Sequence, residues 1–225
     1  MRMMLSVDQK WDRERAAPRT VTVYIDYKSP YAYLAKDLAY ELERVFTIRL
    51  DWLPYVLDIP SFLGSARVDE NGGVVEDERN AHQWRRVRYS YMDCRRQARK
   101  RGLVIRGPLK IWDSRLAACG MLYAKRQGEA VLRRYQELTF ERFWKRELDI
   151  EDPDAVGAVL TEAGADNGRL PEFLVKDGRE QLDRICREAE ALGVFGVPTF
   201  VIDGELFWGR EHLPDIREIL KISSA

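Results

Sequence analysis

Residues 193–209 constrain the fold more than any other stretch of the chain. The apolar run 199–202 is followed by Asp203-Gly204 and a second apolar run, and Asp-Gly between such runs predicts a β-hairpin. Proline cannot donate a hydrogen bond to a sheet, so Pro198 should stand at the start of the first strand. We predict a cis peptide bond between Val197 and Pro198, because cis bonds occur almost only before proline and fix the preceding backbone in an unusual orientation.

The beginning of the chain predicts a second piece of regular structure. Residues 21–27 alternate apolar and polar side chains, which is typical of a strand. Ser29-Pro30 then opens a stretch with helical spacing, with serine as N-cap and proline at the first helical position. Residues 48–52 alternate again. Strand, helix and strand in this order predict a right-handed βαβ unit with parallel strands.

Between these two pieces the pattern changes. Residues 57–80 are rich in glycine and acids and predict a long loop or lid, whereas residues 81–189 show repeated helical spacing. The whole order, βαβ, then helices, then ββα, predicts an α/β thioredoxin-like fold with a large all-α insertion. The predicted divisions are a flexible leader (1–19), a thioredoxin-like domain (20–56 and 190–225) and an inserted helical domain (57–189).

Composition narrows the function classes. Lys+Arg and Asp+Glu both number 37, which argues against a general nucleic-acid binder. The sequence has no apolar run of membrane-spanning length and no secretory h-region near its start. Cys94, Cys119 and Cys186 form no CxxC, and we interpret them as reduced, mostly buried thiols of a cytoplasmic protein. The two histidines lack metal-ligand spacing, so we expect no metal site.

Residues 85–106 are strongly basic. The interpretation that we favour is a solvated helix whose cations pair with the acids of residues 69–78. A nucleic-acid face and a site for an anionic carboxylate substrate are the alternatives.

In a thioredoxin-like arrangement, the start of the first helix faces the loop before Pro198. Residues 29–32 then occupy the positions where redox members carry CxxC. Serine cannot supply the thiolate that disulfide exchange requires, so a disulfide oxidoreductase is excluded. A helix N-terminus still stabilises an anion, and the Ser29 hydroxyl can donate a hydrogen bond to the sulfur of a borrowed thiol. The alternative is that Ser29 only caps its own helix.

Residues 26–35, which read DYKSPYAYLA, resemble the start of 2-hydroxychromene-2-carboxylate isomerases and kappa-class glutathione transferases, and residues 193–209 resemble the C-terminal signature of that family. These are DsbA-like proteins. The resemblance implies a glutathione-dependent isomerase or transferase acting on a small conjugated aromatic substrate. Related enzymes are often dimers, which leaves a homodimer open.

The same resemblance implies roles for particular residues. Ser29 would hydrogen-bond the glutathione sulfur, and the backbone of Val197, before cis-Pro198, would pair with the cysteinyl part. Arg210 and Glu211 would hold the γ-glutamyl end. For the substrate we name Tyr31, Tyr33 and an arginine of the helical domain from their polarity and expected proximity alone, with packing against the insertion as the alternative for both tyrosine rings.

Two departures from the family pattern support a different hypothesis. Glu211 stands where the family carries aspartate, and residues 58–64 lack the family's asparagine. A non-catalytic DsbA-like binding or scaffold protein is therefore the alternative function. A redox protein that uses one isolated cysteine is a third, and it requires an exposed thiol with a low pKa.

Overall fold

A four-stranded mixed sheet carries both of the pieces identified in the sequence. The computed structural model describes residues 18–222. Its strands are β1 (Arg19–Ile25), β2 (Ile48–Pro54), β3 (Ala66–Val68), β4 (Val74–Asp77), β5 (Thr199–Ile202) and β6 (Glu205–Trp208). Its helices are α1 (Pro30–Val45), α2 (Ile59–Leu63), α3 (Ala81–Arg99), α4 (Arg115–Arg126), α5 (Glu129–Trp144), α6 (Pro153–Glu162), α7 (Leu170–Val175), α8 (Asp177–Ala191) and α9 (Leu213–Ile222).

The predicted βαβ unit is confirmed. β1 and β2 pair in parallel over their whole length, with Arg19 opposite Ile48 and Ile25 opposite Pro54. α1, which connects them, starts directly after Ser29 and has proline in its first turn. Proline has no backbone N–H, and the first turn of a helix needs none for its own hydrogen bonds, so proline is well suited to this position.

The predicted C-terminal hairpin is confirmed as well. β5 and β6 pair antiparallel from Thr199 and Trp208 at the open end to Ile202 and Glu205 at the turn. Asp203 and Gly204 have φ angles of 51° and 86°, and a two-residue hairpin turn of this kind needs positive φ at both positions. β5 also pairs antiparallel with β1, which gives the sheet order β2-β1-β5-β6.

The segment 57–80 differs from the prediction. It was expected to be a long loop, but it contains α2 and the small antiparallel hairpin of β3 and β4. The register of this hairpin shifts at Arg67 and Val68, and β4 is exposed throughout. A three-residue strand paired with an exposed four-residue strand has no alternation that sequence periodicity could detect.

Tyr27 joins the sheet to the helices behind the candidate site. The residue follows β1 directly and is buried, with its ring centroid 4.7 Å from that of Phe140 and 5.9 Å from that of Tyr135. Both partners lie on α5. The end of β1, where the candidate site begins, is therefore fixed by aromatic packing from the middle of the chain.

The fold class is confirmed, whereas the division into domains stays a prediction. The predicted leader falls mainly on residues 1–17, which lie outside the described residues, and Arg19 already belongs to β1. Within residues 18–222, no helix combines the length and the apolar character that crossing a membrane requires.

Candidate functional site

The start of α1 faces the loop before Pro198. The Oγ of Ser29 donates a hydrogen bond to the carbonyl oxygen of Val197, 3.4 Å away and 168 residues later in the chain. Oγ of Ser29 also accepts a hydrogen bond from the backbone N–H of Ala32 at 3.3 Å. Ser29 therefore caps its helix and also lies against the loop, so the two interpretations of this residue are compatible. The Val197–Pro198 peptide bond is cis.

Two backbone donors lie beside the serine hydroxyl. Among residues 18–222, neither the N–H of Tyr31 nor the N–H of Val197 has a hydrogen-bond acceptor. The first belongs to the first turn of α1, where helix N–H groups lack partners within the helix. Because the positive end of the helix dipole lies at the same place, these groups can bind an anion.

A cleft with a volume of about 1030 Å³ opens from this point. Ser29, Tyr31 and Val197 line one end, and the rest of the wall comes from α2, β3, α3 and residues 107–112. Phe195 and Trp208 also line the cleft, although 64% and 51% of their surfaces are exposed. Their ring centroids are 4.7 Å apart. This exposed aromatic pair next to the loop can contact a planar ligand.

The charged lining of the cleft is entirely cationic. Five arginines and two lysines line it, and no aspartate or glutamate from residues 18–222 does. Lys28 and Lys110 are paired with Asp26 and Glu151. The five arginines have no carboxylate within ion-pair distance in the described chain, and they are Arg79, Arg86, Arg88, Arg95 and Arg99. The cleft is therefore suited to an anionic ligand.

The predicted pairing of residues 85–106 with the acids of 69–78 is wrong. The only carboxylate that the described chain pairs with an arginine of this basic stretch is Asp93, which contacts Arg96. Glu76 pairs instead with Arg67 across the hairpin, and Asp77 accepts the indole N–H of Trp84. The hairpin, which the sequence did not reveal, gives these acids nearer partners.

Arg79, Trp84 and Arg88 form a cluster in the cleft wall. The two guanidinium groups lie 5.1 Å and 5.6 Å from the centroid of the indole ring. Nε of Arg79 donates to the carbonyl oxygen of Gly64 at 3.2 Å, which leaves its terminal nitrogens free for a ligand. Burial lowers the pKa of Arg79 from its ordinary value, because the guanidinium group is partly desolvated.

The two tyrosines predicted to contact substrate lie in different places. Tyr31 lines the cleft, and burial, with a smaller contribution from Cys94, raises its pKa. Tyr33 does not line the cleft. Its ring is buried and stacks on Phe140 with a centroid distance of 5.4 Å and an interplanar angle of 12°. The structure therefore brings Tyr31 to the site and places Tyr33 in the packing position.

Arg210 and Glu211 lie in a short 3₁₀ helix, Arg210–His212, beside the sheet. Neither is among the described residues that line the cleft. The carboxylate of Glu211 lies against Gly209, in the space that a Cβ there would need. The structure thus leaves both residues outside the wall formed by Ser29 and Val197.

The three cysteines do not provide a reactive thiol. Cys94 and Cys119 are buried, and burial raises their pKa values to about 12 and about 11. Cys186 is half-buried, and burial raises its pKa too. A redox protein with an exposed thiol of low pKa is contradicted by this arrangement.

Sequence reasoning missed several residues of the cleft. Phe195 and Trp208 lie inside the stretch 193–209, and their apolar character next to glycines was a usable signal. Lys28, Arg79 and Trp84 carried no such signal, because their positions depend on how residues 57–112 fold over the start of α1.

Comparisons with known proteins agree with this architecture. Residues 20–221 match the DSBA-like thioredoxin domain family. A 2-hydroxychromene-2-carboxylate isomerase from Sphingobium xenophagum is 25% identical over 207 residues, which cover 90% of this chain and 98% of the relative. Glutathione S-transferase kappa 1 from Homo sapiens is 24% identical over 221 residues, covering 90% of this chain and 91% of that protein.

A solved structure shares the fold. The structure of a 2-hydroxychromene-2-carboxylate isomerase superposes with a TM-score of 0.68 at 20% sequence identity, and the match covers 91% of this chain and 96% of that one. The family match extends from the second residue of β1 into the last turn of α9. The chain therefore belongs to the DSBA-like thioredoxin domain family.

Proposed function

We propose that the protein is a glutathione-dependent isomerase or transferase that acts on a small, conjugated aromatic acid. The observation that carries the proposal is the contact between Ser29 and Val197, with two unpaired N–H groups beside it. A thiolate needs hydrogen-bond donors and positive potential, and this end of the cleft offers both. The names of the curated relatives agree with an enzyme of this kind.

The groups at this end fit a thiol ligand. The Ser29 hydroxyl, which has a single proton, would turn from the Val197 carbonyl oxygen to donate to the sulfur, and the backbone of Val197 would pair with the peptide part of the ligand. Glutathione would supply a thiolate whose bond to a conjugated carbon forms and breaks again, so that an electron pair moves onto the substrate carbonyl oxygen and returns. Arg210 and Glu211 remain the proposed contacts of the γ-glutamyl end, which would have to reach past the cleft wall.

The wall of arginines and aromatic rings supports an acidic aromatic substrate. Arg79 has free terminal nitrogens and a partly desolvated charge, so a carboxylate bound there gains a charge-assisted hydrogen bond. Phe195 and Trp208 offer ring faces to the planar part of the molecule. Tyr31 lines the same cleft, and burial raises the pKa of its hydroxyl.

The three thiols, none of which is in a disulfide, support a location in the cytoplasm. The described residues contain no group of histidines, cysteines and carboxylates that could hold a metal ion. Nucleic acid is not a proposed partner, and a homodimer stays a proposal from the resemblance alone.

Calorimetry with glutathione tests the proposal. We expect the wild-type protein to bind glutathione at millimolar concentrations or below, and Ser29→Ala to weaken this binding. S-methylglutathione is the matched control ligand, because it has the same peptide but cannot form a thiolate; it should bind more weakly than glutathione.

Absence of heat and of any thermal shift with glutathione would favour the scaffold protein instead. If glutathione binds, turnover is measured with 2-hydroxychromene-2-carboxylate, the substrate in the name of the curated relatives. Glutathione binding without turnover of this compound would support glutathione as the cofactor and exclude 2-hydroxychromene-2-carboxylate as the substrate.

A further inference from the structure

The residue before Ser29 carries a buried charge that faces the cleft. The side chain of Lys28 is 7% exposed and that of Asp26 is 0% exposed, and Nζ of Lys28 lies 3.2 Å from Oδ2 of Asp26. The ammonium also donates to Oγ of Ser114 at 3.1 Å. Burying such a pair is unfavourable unless its hydrogen bonds are satisfied, so a pair at this position calls for a reason other than stability.

Two backbone N–H groups hold the carboxylate of Asp26 in place. Its Oδ2 accepts the backbone N–H of Leu57 at 2.8 Å, and its Oδ1 accepts the backbone N–H of Lys28 at 3.1 Å. These bonds fix the carboxylate, which in turn fixes the ammonium. The position of the Lys28 charge is therefore preorganised by β1, the segment after β2 and the start of α4.

The cation of this pair belongs to the cleft lining, whereas the anion does not. Lys28 lines the cleft together with Ser29, whereas Asp26 is absent from the described lining. An ammonium has three N–H donors, and Asp26 and Ser114 are its only partners among residues 18–222. One of the three N–H groups therefore has no acceptor among the described residues.

We propose that Lys28 is a catalytic hydrogen-bond donor to the substrate oxygen that becomes negatively charged during the reaction. The inference rests on the proposed function. An Nζ–H of Lys28 donates to the carbonyl oxygen while the electron pair resides there, and no proton is transferred. A preorganised donor of this type stabilises the transition state more than the ground state, because the charge is present only there.

The experiment compares the wild-type protein with the double variant D26N/K28M. Lys28→Met alone leaves a buried carboxylate without its partner and can prevent folding, whereas the double variant removes both charges together. The control is D51N/K125M, which removes an ion pair of 2.6 Å that does not line the cleft.

The first measurement uses 4-nitrophenol as a probe of a negatively charged aromatic oxygen, without glutathione. Its ionisation is followed by absorbance while it is bound to each protein. We expect the wild-type protein and the control to lower the pKa of bound 4-nitrophenol, and D26N/K28M to return it toward the value in solution. The other titratable groups that line the cleft are Tyr31, Tyr91, Lys110 and the five arginines, and all are unchanged in the comparison.

The second measurement is turnover of 2-hydroxychromene-2-carboxylate with glutathione. We expect kcat of D26N/K28M to fall by about 10²–10³-fold, as for loss of one oxyanion donor. Glutathione binding by calorimetry should stay within about twofold, since Lys28 contacts the substrate oxygen and not the thiol ligand.

An unchanged pKa of bound 4-nitrophenol in D26N/K28M would overturn the inference, as would failure of the wild-type protein to bind the probe at millimolar concentration. Neither result bears on glutathione binding, so the proposed function is judged separately. If glutathione binds and D26N/K28M keeps the wild-type kcat, only the role of Lys28 is wrong.

Discussion

The two walls of the cleft differ in how firmly they are held. Ser29 and Val197 are buried, and they are linked to each other and to α1 by hydrogen bonds. The opposite wall has Arg88, Arg95 and Arg99 on exposed positions of α3, next to a hairpin whose second strand is exposed. The fixed wall is suited to the chemical step, which needs defined geometry, and the exposed wall is suited to selecting the substrate.

The largest effect that distinguishes the two walls is expected from Ser29→Ala. Because the hydroxyl is the side-chain donor at the proposed sulfur position, kcat/KM should fall by about 10²–10³-fold. Loss of the cap should also lower the free energy of unfolding by about 0.5–2 kcal/mol. Steady-state kinetics and denaturant unfolding measure the two changes.

Asp152→Ala is the matched control for the cap, since the Asp152 carboxylate accepts the N–H of Asp154 at 2.9 Å and does not line the cleft. It should lose similar stability and keep full turnover. If the two variants lose activity equally, the fixed wall has no special role in catalysis.

The next effect concerns Arg79→Met on the exposed wall. Removal of one charge-assisted hydrogen bond to a carboxylate should raise KM for an acidic substrate by about tenfold to a hundredfold while kcat changes little. Arg67→Met is the control, because Arg67 lies on the neighbouring strand β3, pairs with Glu76 at 2.6 Å and does not line the cleft. A fall in kcat at unchanged KM would show that this wall takes part in the chemical step.

The last comparison, whose effect at neutral pH is the smallest, tests whether the wall formed by α3 has a thiol of its own. Burial raises the pKa of Cys94 from 9.0 to about 12, so the folded state keeps a proton that the unfolded state loses above pH 9. The resulting stability is present below pH 9 and is lost as the pH rises toward 12, by at most about 1.4 kcal/mol per pH unit.

Cys94→Ala should therefore flatten the alkaline dependence of the unfolding free energy between pH 9 and 12. Cys186→Ala should flatten it less, because Cys186 is only half-buried. A steeper loss of stability in Cys94→Ala, or rapid alkylation of Cys94 at neutral pH, would indicate that the reactive thiol is Cys94 and not the thiol of glutathione.

The sequence was sufficient for those parts of the fold that depend on local chemistry. Ser29-Pro30 and Asp203-Gly204 have narrow conformational preferences, and the helix and turn that they predict are present. The contact between Ser29 and Val197 followed from combining two such motifs within one fold.

Local patterns could not predict the opposite wall. The hairpin of β3 and β4 is too short and too exposed to show a period. Because the hairpin pairs Glu76 with Arg67, this acid is not available to the arginines of α3. Tyr31 and Tyr33 show the same limit, since they are two residues apart and only the fold decides that one lines the cleft while the other packs on Phe140.

The small hairpin has a practical consequence. Ala66 and Val68 line the cleft on one side of β3, while Val74 and Val75 of β4 are exposed to solvent. The unit contributes no strand to the central sheet. Exchanging residues 66–77 for a hairpin of another sequence would therefore change part of the cleft lining, and with it the acids that the proposed enzyme accepts, while the strands of the central sheet stay the same.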